Sequence, residues 1–597
     1  MDILTSPITR FYSGKSILIT GATGFIGKVL IEKLLHSCPD VNKIYLLIRT
    51  SGGKNSKERL LEMIQQKPLN IRLKKELITS KLVPIESNLT YNDLGLTEEN
   101  KQLLMNEVSI IFHVAASVKF EAPLEVNMRH NVVATKEMLD MACQFKQLAC
   151  FVHVSTAYSN CQLLNIEERV YPMSVPEDPM SMEVTKELLD SRPNTYTFTK
   201  ALAENVANQY ADRINVVIVR PSIVMSSIRE PAEGWVDTIN GPVGLSVLGA
   251  LGILQKIKVN SEVVFDLIPV DIVTNALLSI AWAATERRDE FIRSSVLEKE
   301  SSANGACGLI EGKSNTVKAA TALLSDISTK LSNNLNNIIN NVNKRPQENE
   351  KEGEKKVLSS SKNNNDTNNN NNLIDLAEVS NTEPDGKVCV FNLTTGSENP
   401  CSFYRYFHTG RQEAYEKPST RALRPLLHIP KQKGMNPIQY WIHKIFSHLL
   451  FAYVMDFLLG LFGQKKMVVK AVNKMHHANE MFDYFCSNQW NFKTDNVKKL
   501  RRLQSTCDRQ IFDCDVRQID WDSYARLGWI GCRRFILKET DDSLGYARKR
   551  YLVVCSLYYT IKLLTFLAIL YFANILIQSK LVVCMLMLPT FAMMYLL

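Results

Sequence analysis

The first sixteen residues carry no apolar core of the kind a secretory signal needs, and none of the 13 cysteines in this 597-residue chain stands in a CxxC pair. Such a chain is expected to keep its thiols reduced, and it offers neither a disulfide framework nor a cysteine-built metal centre. A dense Lys/Arg stripe interleaved with aromatics is also missing. The net charge is +9 and the excess is scattered, which argues against a nucleic-acid surface. Charge itself nearly vanishes towards the C-terminus. From Tyr551 to Ile577 the single charge is Lys562, and from Leu581 to Leu597 there is none. At this length there is room for two or more domains with their own cores.

Near the other end stands Ser16-Ile17-Leu18-Ile19-Thr20-Gly21-Ala22-Thr23-Gly24-Phe25-Ile26-Gly27. Ile17 to Ile19 read as a buried strand, and Gly21, Gly24 and Gly27 make a GxxGxxG turn. An apolar helix follows through Val29, Leu30, Leu34 and Leu35. The first glycine permits a positive φ, the second lets the backbone approach a pyrophosphate, and the third lets helix and strand pack closely. The helix N-terminus then offers free N–H groups and a positive dipole end to phosphate. The next strand, Lys43 to Ile48, ends in Arg49. An acidic residue at that place would hold the 2′-hydroxyl of NAD, whereas arginine suits a 2′-phosphate, so the expected cofactor is NADPH.

Further strands are expected at Lys81–Ile85, Val108–His113 and Phe151–Val154, with helical segments between them. This alternation predicts a doubly wound parallel sheet, α/β in class and Rossmann-like. The small residues Ala115 and Ala116 follow the fourth strand, where a parallel sheet places its ligand. Ser155 and Thr156 end the fifth. Tyr196 and Lys200 stand four apart in Asn194-Thr195-Tyr196-Thr197-Phe198-Thr199-Lys200 and would share one helix face. A carbonyl that accepts a hydride needs a proton. Tyrosine, with an ordinary pKa of about 10, becomes a better acid–base when an ammonium favours its phenolate. The same lysine can hold the nicotinamide ribose, and a hydroxyl from Ser155 or Thr156 can polarise the substrate oxygen.

At these residues the sequence resembles the extended short-chain dehydrogenase/reductase family, and within it the fatty acyl-CoA reductases. Thr20 to Gly27, Phe151 to Tyr158 and Asn194 to Lys200 carry the likeness. Val219-Arg220-Pro221-Ser222-Ile223-Val224, Gly234-Trp235-Val236-Asp237, Asn240-Gly241-Pro242 and Asp266 to Asp271 add to it. The resemblance implies reduction of long-chain acyl-CoA to fatty alcohol with two NADPH, through a thiohemiacetal and an aldehyde, at a peroxisomal or endoplasmic-reticulum membrane. It assigns Tyr196 and Lys200 to the catalytic pair and Ser155 or Thr156 to the substrate hydroxyl. The cofactor positions are Gly21, Gly24, Gly27 and Arg49, joined by Thr23, Phe25, Ile26, Asn88, Ala115, Ala116, Pro221 and Ile223. Ser87-Asn88 departs from the family's Gly-Asp, which alters the expected contact near the adenine. No residue is assigned to a metal.

The domain reading is a reductase domain over 11–290, a mostly disordered Asn-rich insert over 291–386, a mainly helical C-terminal domain over 387–545 and an apolar membrane tail over 551–597. The C-terminal domain starts with a strand-like run, Val388 to Gly396. The run Leu449 to Phe462, broken by Asp456, reads as an amphipathic, membrane-lying or acyl-tunnel helix, too short to span. Arg548-Lys549-Arg550 ahead of the tail places the catalytic part on the cytosolic side. The expected partners are the acyl-CoA substrate and a lipid bilayer, with a homo-oligomer left open. Two other functions share parts of this pattern: an extended dehydrogenase or epimerase acting on a sterol or sugar nucleotide, and a catalytically silent NADP-binding scaffold at a membrane.

Overall fold

The computed structural model describes residues 5–182, 192–288, 388–426 and 436–576, together with Val184, Leu189 and Lys431. The Asn-rich segment over 291–386 and the second apolar run over 581–597 lie outside the described residues. The parts of the chain before and after that segment form one compact unit.

Seven strands make its sheet. They are β1 (Ser16–Thr20), β2 (Ile44–Ile48), β3 (Leu82–Glu86), β4 (Val108–His113), β5 (Cys150–Val154), β6 (Val216–Pro221) and β7 (Cys389–Leu393). Their spatial order is β7-β6-β5-β4-β1-β2-β3, and every pairing is parallel. The strands are apolar runs because both faces are covered. Leu18, Tyr45, Ile111, Phe151 and Ile218 pack with Met138, Leu139, Leu202 and Val206 of the helices Ala134–Ala142 and Thr195–Gln209. The alternate residues Ile17, Ile44, Ile110, Val152 and Val217 are buried on the other face. There the helices Phe25–Ser37 and Val270–Glu286 pack on each other, and the second of them packs on β5 and β6. The strand order reverses between β1 and β4, the position at which such sheets open a crevice beyond their carboxyl ends.

The strand that the sequence assigns to the start of the C-terminal domain is β7, the edge strand of the main sheet, in register with β6 from Cys389↔Val217 to Leu393↔Pro221. The reason lies in its partners. The Asn392 amide side chain donates to Ile166 O and Lys493 O, and the half-buried Glu168 carboxylate accepts the N–H groups of Asn392 and Asn496 at 2.9 and 2.6 Å. A two-residue parallel ribbon, Asn165–Ile166 with Asn491–Phe492, lies beside them. The C-terminal part is thus stitched into the sheet.

The rest of that part is helical, as the sequence leads one to expect. Helix Phe403–Glu416 packs on Trp521–Gly531, close enough that a side chain at Gly528 would meet the Tyr406 hydroxyl at 2.7 Å. The run Leu449–Phe462 is the second half of a longer helical stretch, Ile438–Leu461, which has the length and composition to cross a membrane. Asp456 does not break it. Its carboxylate faces the start of helix Val468–Ser487 and accepts the N–H groups of Met467, Val468 and Val469 at 2.9–3.0 Å, a cap supplied across a hairpin. A second helix of sufficient length and apolarity, Leu544–Leu576, ends the described chain, and its outer residues from Leu552 onward are largely exposed.

Candidate active site

The glycine turn sits at the carboxyl end of β1 with Gly21 at φ +72°. A Cβ there would lie 2.8 Å from Ala115 N, and one at Gly27 would lie 2.3 Å from Gly21 O. Both glycines are therefore required by close backbone approach. Gly24 is exposed, donates its N–H to Gly21 O and is the N-cap of the helix Phe25–Ser37, with no side chain covering that helix end. Thr20 joins the turn to the next strand end: its hydroxyl accepts Ala115 N–H at 3.1 Å and meets His113 Nδ1 at 3.0 Å.

Phe25 and Ile26 are turned towards a different neighbour. Phe25 stacks on Trp235 with ring centres 5.3 Å apart, in one cluster with Ile26 and Val270. Lys28 pairs with Asp237 at 2.5 Å. The Gly234-Trp235-Val236-Asp237 segment thus clamps the helix Phe25–Ser37 from outside. Gly234 in turn touches the C-terminal part, where a Cβ at Gly531 would fall 1.8 Å from Gly234 O.

Arg49 is exposed just past β2 and makes no ion pair among the described residues. Arg59, from the helix Ser56–Gln65, donates to Arg49 O at 2.5 Å, and its pKa is lowered by burial and, less, by the nearby Arg49 cation. His130 faces the same charge and is likewise shifted down, mainly by burial. Neither Arg59 nor His130 was singled out from the sequence; Arg59 lies ten residues past Arg49 and shares no local pattern with it. Asn88 closes its own turn, its side-chain oxygen accepting the Thr90 N–H and hydroxyl at 3.2 and 2.8 Å. Ala115 and Ala116 are half-exposed at the end of β4. Pro221 is buried in the β6–β7 register, and Ile223 is half-buried with its N–H on Asp266 O.

Ser155 and Thr156 follow β5, and both are buried. The Ser155 hydroxyl has no partner among the described residues, whereas Thr156 hydrogen-bonds the Tyr196 phenol. Tyr196 lies in the first turn of helix Thr195–Gln209 and packs against Phe120 at 5.6 Å. Lys200, 1% exposed, donates to Val154 O at 2.8 Å and meets His153 Nε2 at 3.4 Å. Burial lowers the lysine pKa to about 8, opposed by Glu204. It lowers His153 as well, with Lys200 and His113 adding to the effect, so the imidazole behind the ammonium is neutral. The expected lowering of the tyrosine pKa is not what this geometry gives. Burial pushes Tyr196 up to about 12, with only the Thr156 bond opposing it, because Lys200 is committed to β5 rather than to the phenol. Tyr196 is therefore held as a neutral proton donor.

Asn131 ties these pieces together from a π-helical turn, Met128–Val133. It accepts Ser117 N–H at 2.7 Å and donates to Thr199 Oγ1 at 3.0 Å, linking the loop after β4 to the tyrosine helix. An unpartnered hydroxyl, a neutral phenol and a buried ammonium gather at the end of β5. That set can donate a proton to an oxygen that becomes an alkoxide.

Two family models described as male sterility protein match the chain, over residues 19–277 and 447–539. Human fatty acyl-CoA reductase 1 is 32% identical over 561 residues, which is 91% of this chain and 88% of that protein. Mouse fatty acyl-CoA reductase 2 is 30% identical over 588 residues, covering 94% and 93%. Among solved structures, the reductase domain of a non-ribosomal peptide synthetase from Mycobacterium tuberculosis is 22% identical with a TM-score of 0.36, covering 48% of this chain and 68% of that one.

Proposed function

The chain belongs to the fatty acyl-CoA reductase family, and on that premise we propose that it reduces long-chain fatty acyl-CoA to the primary alcohol with NADPH, releasing CoA. The observation that carries the reading is the buried, unpartnered Ser155 hydroxyl at the same strand end as the Lys200 ammonium and the Thr156-bonded Tyr196 phenol.

The residues fit the cofactor. Gly21 and Gly27 leave a cradle that a Cβ would fill, Gly24 presents an open helix N-terminus, and Arg49 with Arg59 offers unneutralised positive charge where a 2′-phosphate would lie. NADPH, when bound, supplies the hydride. The chain does the rest. Ser155 donates to the thioester oxygen and Tyr196 delivers a proton to it, giving the thiohemiacetal. The C–S bond then breaks, the sulfur leaves as the CoA thiol, and an aldehyde remains. The same two groups serve the aldehyde oxygen in the second reduction. Lys200, held on Val154 O, keeps positive charge at the end of β5 near this oxygen and the ribose position, and Thr156 steadies the phenolate after proton transfer.

The segments 11–290 and 387–545 act in this reading as reductase and reductase-associated parts. The helix Leu544–Leu576 attaches them to a peroxisomal or endoplasmic-reticulum membrane, with Arg548-Lys549-Arg550 favouring the cytosolic face. The test is purified protein with NADPH and a C16 or C18 acyl-CoA, following thiol release and alcohol formation. Tyr196→Phe is expected to lose both, and full alcohol formation by that variant would overturn the mechanism. Thiol release with aldehyde accumulation would show that the reaction stops after one hydride.

A further inference from the structure

Three helices of the unit, Pro242–Ala250, Phe403–Glu416 and Trp521–Gly531, meet around a small half-open crevice with a cavity volume of about 40 Å³. Its wall is apolar, built chiefly from Leu245, Phe407, Ala414, Leu426 and Trp529. One charged side chain lines it, Arg411. The Arg411 Nε is buried without a partner, and its guanidinium makes no hydrogen bond or ion pair among the described residues. Its neighbours differ. Arg405 pairs with Asp522, and Arg526 and Lys417 occupy Glu413, which stands two residues from Arg411 on a different face of the helix. A half-buried guanidinium left unpaired beside an apolar wall is costly unless something anionic meets it.

The surroundings say what that is. Leu426, on the crevice wall, donates its N–H to the Tyr551 hydroxyl at 3.2 Å. Arg550 donates to Ala422 O at 2.8 Å and Arg548 to Glu416 O at 2.9 Å. The crevice therefore opens at the root of the long apolar helix Leu544–Leu576, at the level of a basic cluster, which is where the headgroups of a bilayer crossed by that helix would stand. A guanidinium suits phosphate through paired N–H donors, and the apolar wall beside it takes a few methylenes of a hydrocarbon chain.

We propose that this crevice is a binding site for an anionic phospholipid drawn from the bilayer, its phosphate on Arg411 and part of an acyl chain against Phe407, Ala414 and Trp529. The site is separate from the reacting centre but joined to it by one element. Helix Pro242–Ala250 lines the crevice with Leu245, while the residue before it, Gly241, packs on Phe482, which touches Phe120 beside Tyr196.

The proposal shares with the preceding section only the membrane helix. Trp529 is the probe. Full-length protein in mixed micelles is titrated with phosphatidylserine or phosphatidylcholine brominated on one acyl chain, and the quenching is compared with that of the Trp529→Phe variant to isolate the Trp529 signal. Stronger quenching by the anionic lipid is expected. In Arg411→Gln the apparent affinity should fall about tenfold, the worth of one charge-assisted pair, while Arg411→Lys retains most of it and both variants keep the parent's melting temperature. Equal quenching by the two lipids, or quenching unchanged in Arg411→Gln, would overturn the site. So would quenching by a brominated free fatty acid with none by phosphatidylserine. Protein that pellets with vesicles but shows no Trp529 quenching would overturn the site and leave the membrane anchor standing.

Discussion

Lys200 is a buried cation with a carbonyl and a neutral histidine for company, and this predicts a stability cost with a definite pH dependence. Its pKa falls to about 8 in the folded chain, below the value near 10.5 expected when unfolded. Between those values the unfolded chain binds more protons, so stability rises with pH; below about 8 the penalty is fully present. Lys200→Met is expected to abolish reduction yet gain on the order of 1–2 kcal/mol in stability at pH 7, a gain that shrinks towards pH 10. Thermal melts at several pH values check this, and a gain independent of pH would refute it. Arg49 offers a second test at this scale. Arg49→Ala should raise the KM for NADPH about tenfold with kcat little changed and NADH use unaffected, as loss of one charge-assisted phosphate contact requires. Equal losses for both cofactors would remove that role. The residues most legible in the sequence were those whose chemistry is local. The glycine spacing and the four-residue step from Tyr196 to Lys200 announce themselves within a turn. Spacing fixes a shared face but not a partner, so the engagement of Lys200 with Val154 O and the raised Tyr196 pKa could not be read from it. Arg59 and His153 escaped for the same reason, since each gains meaning only from a neighbour supplied by another element.

Among elements, the sheet was readable strand by strand from its apolar runs, except for β7. That strand pairs with β6 across roughly 170 intervening residues, and no periodicity carries information over such a distance. Asp456 misled for a related reason. A lone carboxylate in an apolar run looks like an interruption, whereas here it closes a hairpin by accepting three N–H groups of the following helix. Asp456→Ala should leave those donors unsatisfied, costing about 1–2 kcal/mol locally. Hydrogen exchange at Met467–Val469 should speed up while exchange in β1 and β5 stays unchanged, and uniform acceleration would count against a local cap.

At the scale of the whole molecule, the final helix changes character at one point. Tyr551, 5% exposed, is its last buried residue, and from Leu552 to Phe572 the side chains are exposed or half-buried. From Leu552 to Leu576 the rise is roughly 37 Å, enough to cross a hydrocarbon core of about 30 Å. Truncation after Arg550 is therefore expected to release a folded, NADPH-binding protein from membranes, as pelleting with vesicles would report. Unchanged pelleting would shift the attachment to the helical stretch Ile438–Leu461, whose Trp441, Tyr453, Phe457 and Leu461 are exposed.

The late arrival of β7 has a consequence for how the polypeptide can be divided. Among the described residues, the contacts of β7 come from elements far from it in the chain. Its hold on the sheet comes from β6, Glu168 and the ribbon at Asn165–Ile166. Loop-closure entropy grows only slowly with length, so a severed connection forfeits little beyond the entropy of bringing two pieces together. Two separately translated polypeptides, 1–287 and 388–597, should therefore find each other and restore reductase activity when co-expressed, with neither piece active by itself. The enzyme could then be assembled on demand, each half placed under its own promoter.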